Sequence, residues 1–343
     1  MSNMNHPCDW TEISDPTVLV KQPLVSVHMI TYNHEAFLTE AIECVLRQQT
    51  EYPYELIIGE DCSKDNTRRI ALEYQRRFPE KIRVLYSNWN VGMHLNSQRV
   101  FEACRGKYVA YCEGDDYWHH PQKLQKQTEF LEDADECSLV HSDYDIQAGF
   151  RAMKATNHRA RRQIATGDVF EHLLLENFIA TCTTCVRVEV VREYFSSSFP
   201  AKGYPLGDWP LWLFASRKGR VEYIDESLAT YRLNPGSVTH SGLVFHVKSI
   251  LSLRQMREDY IEVFGCSEDL LHGVRTANNS NALVASALAG DRQMFFREFN
   301  WFRRNNIGWR NGYKTWLRFF IMKCHLSCVL RLRYYIQVRL HLM

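Results

Sequence analysis

Apolar runs and amphipathic segments alternate along roughly the first 145 residues of the chain. Short apolar runs bounded by polar turns predict buried strands, and apolar residues three or four positions apart predict helices that pack on those strands. The first such pair is the run Leu24–Thr31 and the helical pattern within Glu35–Gln49. The later predicted strands are Glu55–Gly59, Ile82–Tyr86, Tyr108–Cys112 and Leu139–Ser142, and the later predicted helices are Asp65–Phe78, Asn96–Cys104 and Pro121–Leu131.

This alternation predicts an α/β fold with a mostly parallel sheet and helices on both faces. If the strands lie in the order third, second, first, fourth, the carboxyl ends of the last three are neighbours. Ligands of such sheets bind beyond the carboxyl ends of the strands. The polar residues that follow these strands are therefore the candidates for a binding site.

The rest of the chain is less regular up to about residue 240 and then becomes helical. We expect a helix near Val169–Asn177, a strand at Thr181–Val188, and a helical hairpin at Ala282–Arg303 that is broken at Gly290. The chain is accordingly divided into an irregular leader, a sheet-containing domain and a helical C-terminal region. Their boundaries are 1–22, 23–240 and 241–343.

An acidic cluster, Glu113-Gly114-Asp115-Asp116, follows the fourth predicted strand. Three carboxylates in four residues repel one another unless a cation neutralises them. Carboxylate oxygens suit Mg²⁺ or Mn²⁺, which also bind phosphate oxygens. The alternative is a solvated turn in which Asp116 caps a helix, and the residues alone leave both interpretations open.

A second polar cluster follows the second predicted strand. Asp61 is placed to accept hydrogen bonds from a base or a ribose, whereas Asp65 is assigned mainly to capping the next helix. Asn90 and Gly92 follow the third strand, and Gly92 permits a left-handed turn. A polar loop without a ligand is the alternative for these two residues.

Four runs in this order and spacing resemble the family 2 glycosyltransferases of the GT-A fold: VSVHMITYNHEAFLTEAIECVLRQ, LIIGEDCSKDNT, NWNVG and GKYVAYCEGDDYW. The resemblance covers about residues 23–145 closely and extends to about residue 240 more loosely. It implies a Rossmann-like GT-A domain that transfers a sugar with inversion from a nucleotide diphosphate donor, with UDP as the expected nucleotide. It also implies Mn²⁺ or Mg²⁺ as cofactor and a glycan or lipid-linked acceptor in the synthesis of surface polysaccharide or lipopolysaccharide.

The resemblance also assigns roles to single residues. Asp115 is the expected metal ligand. Glu113 stands where the family has the first Asp of its Asp-x-Asp motif, so it contacts either the ribose or, through water, the ion. Asp208, within Gly207-Asp208-Trp209, is the expected base for the acceptor hydroxyl, and a helix cap is its alternative role. The residues expected to bind the nucleotide are Thr31, Tyr32, Asn33, Glu35, Asp61, Asn90, Glu113 and Gly114.

A later segment, Tyr231–Ser237, resembles the part of the family that closes over the donor diphosphate. Asn234 stands where many relatives have His, and a strand end followed by a turn is the alternative interpretation. Trp209 and Trp212 are candidates for apolar walls of a sugar site. The residues expected at the diphosphate are Arg232, Ser237 and His240.

Charge is distributed unevenly, although the net charge is only +1. Residues 299–343 contain nine Arg or Lys and no Asp or Glu, which leaves residues 1–298 with 32 basic and 40 acidic side chains and a net charge of −8. The acidic body argues against nucleic-acid binding. The basic, aromatic tail is typical of a helix at an anionic membrane surface, and a helix docked on the protein is the alternative. Neither a secretory signal nor a run of ~18 apolar residues is present, so we expect a cytoplasmic protein held peripherally at the membrane.

Three other classes of protein are weighed against glycosyl transfer. A nucleotidyltransferase usually has a Gly-rich basic loop after the first strand, where this chain has Thr31-Tyr32-Asn33-His34-Glu35. A non-catalytic nucleotide-sugar-binding protein would not need its acidic residues. A nicotinamide dehydrogenase would carry GxGxxG after that strand. The eleven scattered cysteines favour free thiols, and the single CxxC of Cys182 and Cys185 is a weak zinc signal.

Overall fold

The computed structural model describes residues 10–148, 164–234 and 243–304. By its internal contacts the chain divides into two compact units, with the main boundary after Leu233 and residues 203–206 belonging to the second unit. The first unit contains a β-sheet together with helices, and the second consists of helices. The boundary therefore lies a few residues before the expected one at 240.

All strands of the described residues lie in the first unit. They are β1 (Trp10–Ile13), β2 (Val25–Thr31), β3 (Tyr54–Glu60), β4 (Ile82–Ser87), β5 (Tyr108–Tyr111), β6 (Cys137–Ala148), β7 (Cys185–Arg187) and β8 (Arg220–Leu233). The helices of this unit are α1 (Leu38–Leu46), α2 (Thr67–Arg77), α3 (Met93–Glu102), α4 (Lys123–Asp133), α5 (Phe170–Leu175), α6 (Val188–Ser196) and α7 (Asp208–Ser216).

The eight strands form one sheet in the order β1-β4-β3-β2-β5-β7-β6-β8. The central strands β4, β3, β2 and β5 run parallel, which confirms the predicted strand order. Every residue of β3 is buried, as expected for a strand covered by helices on both faces. Because these strands are parallel, the loops that follow β2, β3 and β5 meet at one edge of the sheet.

The leader predicted to be irregular over residues 1–22 contains the strand β1, so that prediction was wrong for Trp10–Ile13. β1 pairs antiparallel with β4 along the sheet edge. Two hydrogen bonds from the Arg83 guanidinium to the Glu12 carboxylate, at 2.8 and 3.0 Å, hold β1 in place. The partner of Glu12 lies 71 residues away, so the sequence pattern near residue 10 did not reveal this strand.

The strand predicted at Thr181–Val188 is shorter than expected. Residues Thr181–Thr183 form a 3₁₀ turn, and only β7 continues as a strand, antiparallel to both β5 and β6. The hydroxyl of Thr183 donates to the carbonyl of Ala180, and that of Thr184 donates to the carbonyl of Thr181. Such local hydrogen bonds favour a turn over an extended strand.

The second unit contains α8 (Leu243–Phe264), α9 (Glu268–Ala289) and α10 (Arg292–Arg304). The Ser267 hydroxyl caps α9 by accepting from the Leu270 amide at 3.3 Å. Gly290 ends α9 in the left-handed region with φ of 73°, which confirms the predicted break in the hairpin. Among the described helices, none is both long and apolar enough to cross a membrane. The basic tail lies outside the described residues.

Candidate active site

The loop after β2 is bound to the loop after β3 by side-chain hydrogen bonds. The Asn33 amide N–H donates to the Ser63 hydroxyl at 2.9 Å, and the Lys64 N–H donates to Asn33 Oδ1 at 2.8 Å. Glu35 Oε2 accepts two hydrogen bonds at 2.9 Å from Asn66. Asn33 has φ of 55°, a conformation that asparagine tolerates better than most residues. Asn33 and Glu35 thus shape the predicted nucleotide site by joining its two loops.

Tyr32 lies directly before Asn33 and is 38% exposed. Trp89, on the loop after β4, is 47% exposed. Asp65 accepts the backbone N–H of Thr67, the first residue of α2, at 3.0 Å, but the N-cap of this helix is Asn66 and not Asp65. The exposed aromatic rings of this end of the sheet therefore come from loops, where they are available to a ligand.

Asp61 holds the loop that follows β4. Its Oδ1 accepts the Val91 amide at 2.7 Å, its Oδ2 accepts the Gly92 amide at 3.0 Å, and its carbonyl accepts the Asn90 side chain at 2.9 Å. Gly92 has φ of 84°, which requires glycine. Burial raises the pKa of Asp61, and the Val91 hydrogen bond opposes that shift. Asp61 and Asn90, both predicted to bind the nucleotide, are therefore hydrogen-bonded to each other.

Replacing Asp61 by Ala is expected to weaken UDP binding by about 1–3 kcal/mol, because the amides of Val91 and Gly92 lose their acceptor. Isothermal titration calorimetry with UDP and Mn²⁺ measures the change, and circular dichroism checks the fold. Asp61→Asn should behave similarly, since its amide turns one acceptor into a donor that faces an N–H group. Asn88→Ala, an exposed change in the same loop, is the control. Unchanged UDP affinity in folded Asp61→Ala would contradict the assignment.

Gly114 allows the ends of β2 and β5 to approach closely. Its N–H donates to the carbonyl of Ile30 at 3.0 Å. A Cβ atom at this position would lie 2.6 Å from Thr31 Oγ1 and 3.0 Å from His34 Nδ1. A side chain there would displace both residues, so glycine is required for this packing. The predicted site residues Thr31 and Gly114 are thus neighbours.

The acidic cluster contains three carboxyl groups in different environments. The Asp115 side chain is 15% exposed, and its Oδ2 lies 3.7 Å from Nε2 of His34. Asp116 is buried and accepts the Arg232 amide N–H at 2.8 Å, so it ties the cluster to β8 instead of capping α4. Burial, and then the charge of Asp115, raise the pKa of Asp116 well above its ordinary value.

Glu113 has a buried Oε2 for which the described residues offer no hydrogen-bond partner. Burial raises its pKa well above the ordinary value, and the charges of Asp116, Asp115 and Asp208 add to the shift. A buried carboxylate without a partner costs roughly 1–3 kcal/mol or more. Burial without a partner therefore favours the neutral form of Glu113, and a cation or a ligand donor beside it would favour the ionised form.

Asp208 belongs to the same electrostatic cluster, since its charge acts on Glu113. It is the first residue of α7, and Gly207 is the N-cap, so Asp208 is not the cap itself. Its Oδ2 accepts the Thr181 hydroxyl at 2.9 Å, and its Oδ1 accepts the Trp209 amide at 2.8 Å. Burial raises the pKa of Asp208, and these hydrogen bonds oppose the shift. Its position suits a base of elevated pKa.

Trp209 and Trp212 do not form the walls of an open site, so that prediction was wrong. Both rings are buried, and Trp209 Nε1 donates to the carbonyl of Leu173 at 2.8 Å. The cause is the composition of α7, in which every residue from Trp209 to Ser216 is buried. A helix that is apolar on all sides lies within the core.

Arg232 lies beside the acidic cluster, although its guanidinium already has partners. It forms an ion pair with Glu40, donates to the Asp115 carbonyl at 3.2 Å and lies 4.3 Å from the centre of the Tyr117 ring. The side chain is buried. Two of the five N–H donors of Arg232 are thus already used within the protein. Ser237 and His240, the other two residues predicted for the diphosphate, lie outside the described residues.

The donor atoms around Asp115 suit a hard divalent ion. Across residues 10–148, 164–234 and 243–304, no group of three or more His, Cys, Asp or Glu side chains is arranged to hold a metal, and this includes Cys182 and Cys185. Asp115, with the nearby His34 and the unpartnered oxygen of Glu113, supplies only part of a coordination shell. Such an incomplete shell fits an ion whose remaining ligands are phosphate oxygens and water.

Comparisons with known proteins agree with this arrangement. Residues 26–195 match the family model described as Glycosyl transferase family 2. The Bacillus subtilis protein named “Putative teichuronic acid biosynthesis glycosyltransferase TuaG” is 31% identical over 219 residues, which cover 64% of this chain and 82% of TuaG. The chain belongs to glycosyl transferase family 2. It is also 33% identical to an uncharacterized protein of Mycobacterium bovis, over 63% of this chain and 61% of that protein's length.

Solved structures support the GT-A fold of this family. The mannosyltransferase PcManGT from Pyrobaculum calidifontis, in complex with GDP-Man and Mn²⁺, has a TM-score of 0.55 at 14% identity and covers 93% of this chain and 89% of its own. TarS of S. aureus, in complex with UDP-GlcNAc, has a TM-score of 0.50 at 15% identity and covers 80% of this chain and 89% of its own. At these identities the likeness concerns the fold alone.

Two residues of the site were missed at the level of sequence. His34 stands within the quoted TYNHE run, and its place directly after the first strand was a usable signal. The sequence contained no signal for Thr181, because the role of this residue depends on Asp208, which lies 27 residues later.

Proposed function

We propose that the protein is an inverting glycosyltransferase that moves a sugar from a nucleotide diphosphate donor, with UDP as the nucleotide, to a hydroxyl of a glycan or lipid-linked acceptor. The observation that carries this proposal is the single cluster formed by Asp115, Glu113 and Asp208 beyond the parallel strands. It combines two partly exposed carboxylates, Asp115 for a cation and Asp208 for a proton. Family membership supports the same reaction class.

Asp115 would hold Mn²⁺ or Mg²⁺, and the bound ion would neutralise charge on the departing diphosphate. The donor set fits because Asp115 is partly exposed and Glu113 has an oxygen without a hydrogen bond. Two solved structures of the same fold support a nucleotide sugar as ligand and Mn²⁺ as cofactor, since PcManGT was solved in complex with GDP-Man and Mn²⁺ and TarS in complex with UDP-GlcNAc.

Asp208 would accept the proton of the acceptor hydroxyl while that oxygen attacks the anomeric carbon. Its elevated pKa makes it a stronger base than an exposed aspartate, and the Thr181 hydroxyl fixes its orientation. A single displacement of this kind inverts the anomeric configuration. Glu113 would either reach the ion through water or, in its neutral form, donate a hydrogen bond to the ribose.

A screen of nucleotide sugars tests the reaction class. We expect slow, Mn²⁺-dependent release of UDP from at least one UDP-sugar in the absence of acceptor, and no release in excess EDTA. GDP-mannose serves as the comparison donor. Hydrolysis of GDP-mannose alone would replace UDP by GDP in the proposal, and hydrolysis that persists in EDTA would contradict the metal.

We also propose that the basic tail holds the protein at an anionic membrane, beside a lipid-linked acceptor on the cytoplasmic face. Each Lys or Arg near an anionic leaflet contributes about 1 kcal/mol, and the attraction decays within a Debye length of about 10 Å at 0.1 M salt. Residues 299–343 supply nine such side chains and no acid. The proposal rests on composition and on the acidic body that precedes the tail.

Flotation with liposomes of anionic lipid tests the membrane proposal. Binding of the full chain should fall as salt rises, and neutral liposomes should bind little. Deleting residues 309–343 should abolish binding while UDP affinity is retained, because the described sheet ends at Leu233. A full-length variant with Arg331, Arg333 and Arg339 changed to Gln provides a milder comparison. If the full chain ignores anionic liposomes at low salt, the tail has another role.

A further inference from the structure

A histidine without a role in the proposed mechanism lies inside the acidic cluster. His34 follows β2, and its backbone N–H donates to the Thr67 hydroxyl at 2.8 Å. Its ring Nδ1 is 3.2 Å from Thr31 Oγ1, and its Nε2 is 3.7 Å from Asp115 Oδ2. The side chain is 16% exposed, like that of Asp115. One ring nitrogen is therefore anchored, and the other faces the expected metal ligand.

The distance from His34 Nε2 to Asp115 is too long for a hydrogen bond, since N–H···O bonds span about 2.7–3.2 Å. In the part of the chain that the structure describes, Nε2 has no other hydrogen bond. The Thr31 hydroxyl oxygen can accept a hydrogen bond from Nδ1–H, and Nε2 then carries the lone pair. A ring nitrogen held in this way, with the opposite nitrogen free, is the usual arrangement of a metal-binding histidine.

Close packing of the backbone keeps Thr31, His34 and Asp115 together. A Cβ at Gly114 would collide with Thr31 and come within 3.0 Å of the His34 ring, so glycine leaves space for both. The His34 backbone is fixed by Thr67, at the start of α2. The orientation of the ring is thus built by three separate segments, which follow β2, β3 and β5.

We propose that His34 Nε2 is a second protein ligand of the divalent ion, beside Asp115. Two ligands at about 2.1 Å and at right angles stand roughly 3.0 Å apart, so a shift of less than about 1 Å brings both onto one ion. The inference rests on the proposed function, because the donor diphosphate must complete the coordination shell. An imidazole ligand also favours a transition metal over Mg²⁺. The site should therefore bind Mn²⁺ more tightly than Mg²⁺.

Electron paramagnetic resonance of Mn²⁺ bound to the full-length protein tests this directly. Titrations with UDP, and in parallel with GDP, give the affinity for Mn²⁺, and pulsed measurements detect a nitrogen nucleus bonded to the ion. We expect a histidine nitrogen coupling that changes when histidine is labelled with ¹⁵N. His34→Ala should lose the coupling and weaken Mn²⁺ binding by about 10–100-fold. The exposed His172→Ala is the matched control.

Two further variants separate ligation from packing. His34→Gln places an amide oxygen near Asp115, so it should bind Mg²⁺ and Mn²⁺ with similar affinity and show no nitrogen coupling. Thr31→Val should weaken Mn²⁺ binding because the ring loses its anchor, and Thr31→Ser should restore it. This pattern would not arise if His34 only filled space.

The outcomes distinguish the inference from the proposed function. If Asp115→Asn abolishes Mn²⁺ binding while His34→Ala keeps the wild-type affinity, or if the wild type shows no histidine coupling, His34 is not a ligand and the proposed function stands. If the wild type binds no Mn²⁺ with either nucleotide, the metal-dependent function and the inference both fail.

Discussion

Asp115→Asn is expected to lower kcat for sugar transfer by about 10²–10⁴, the usual cost of losing a group that stabilises charge in the transition state. The substitution keeps the size of the side chain and removes its charge. The ion would then lose its main protein ligand, and negative charge would develop on the diphosphate without compensation. Initial rates with Mn²⁺ and the donor identified by the hydrolysis screen measure the effect.

The control is Asp135→Asn, which removes a charge from a fully exposed side chain of the same unit. Its rate should stay within a factor of about two, as is typical of surface substitutions. Affinity for UDP without metal should be similar in the wild type and in Asp115→Asn. Wild-type activity in Asp115→Asn, or full activity of the wild type in excess EDTA, would contradict a metal at this position.

Asp208→Asn is expected to retain donor binding and to lower kcat for sugar transfer by a factor of about 10²–10⁴. The asparagine carbonyl can still accept the Thr181 hydroxyl, so the fold of the segment should persist while the proton acceptor is gone. A fall in kcat with little change in the donor KM would show that the interaction matters in the transition state. Donor affinity by calorimetry and transfer by product analysis give the two quantities.

The pH dependence provides a second measure of the same residue. A base works in its ionised form, and burial raises the pKa of Asp208, so activity should fall with decreasing pH above the ordinary titration range of aspartate. The Thr181 hydrogen bond lowers this pKa, hence Thr181→Val should move the acid limb of the kcat profile to higher pH. Normal transfer by Asp208→Asn, or a product that retains the donor's anomeric configuration, would contradict this role.

Much of the fold could be predicted from local patterns. The alternation of apolar runs and amphipathic segments predicted parallel pairing of β2, β3, β4 and β5, because parallel strands need helical crossovers that the sequence shows. The order β4-β3-β2-β5 was only supposed from the sequence, and the structure agrees with it. The left-handed turns at Gly92 and Gly290 were also readable, since glycine adopts positive φ at low cost. Elements whose position depends on partners far away in the chain could not be predicted from local patterns. β1 depends on Arg83, and the antiparallel β7 lies between strands that occur earlier in the chain.

The candidate site shows the same division. The sequence by itself determined which residues stand at the ends of the parallel strands, because strand length and turn composition are local properties. Only the tertiary structure decided what each group does there: Asp61 holds a loop, Arg232 is paired with Glu40, Trp212 is buried, and His34 faces Asp115. The reason is physical, since burial and hydrogen-bond partners are set by residues far apart in the chain, and these determine whether a polar atom is already satisfied or remains available to a ligand.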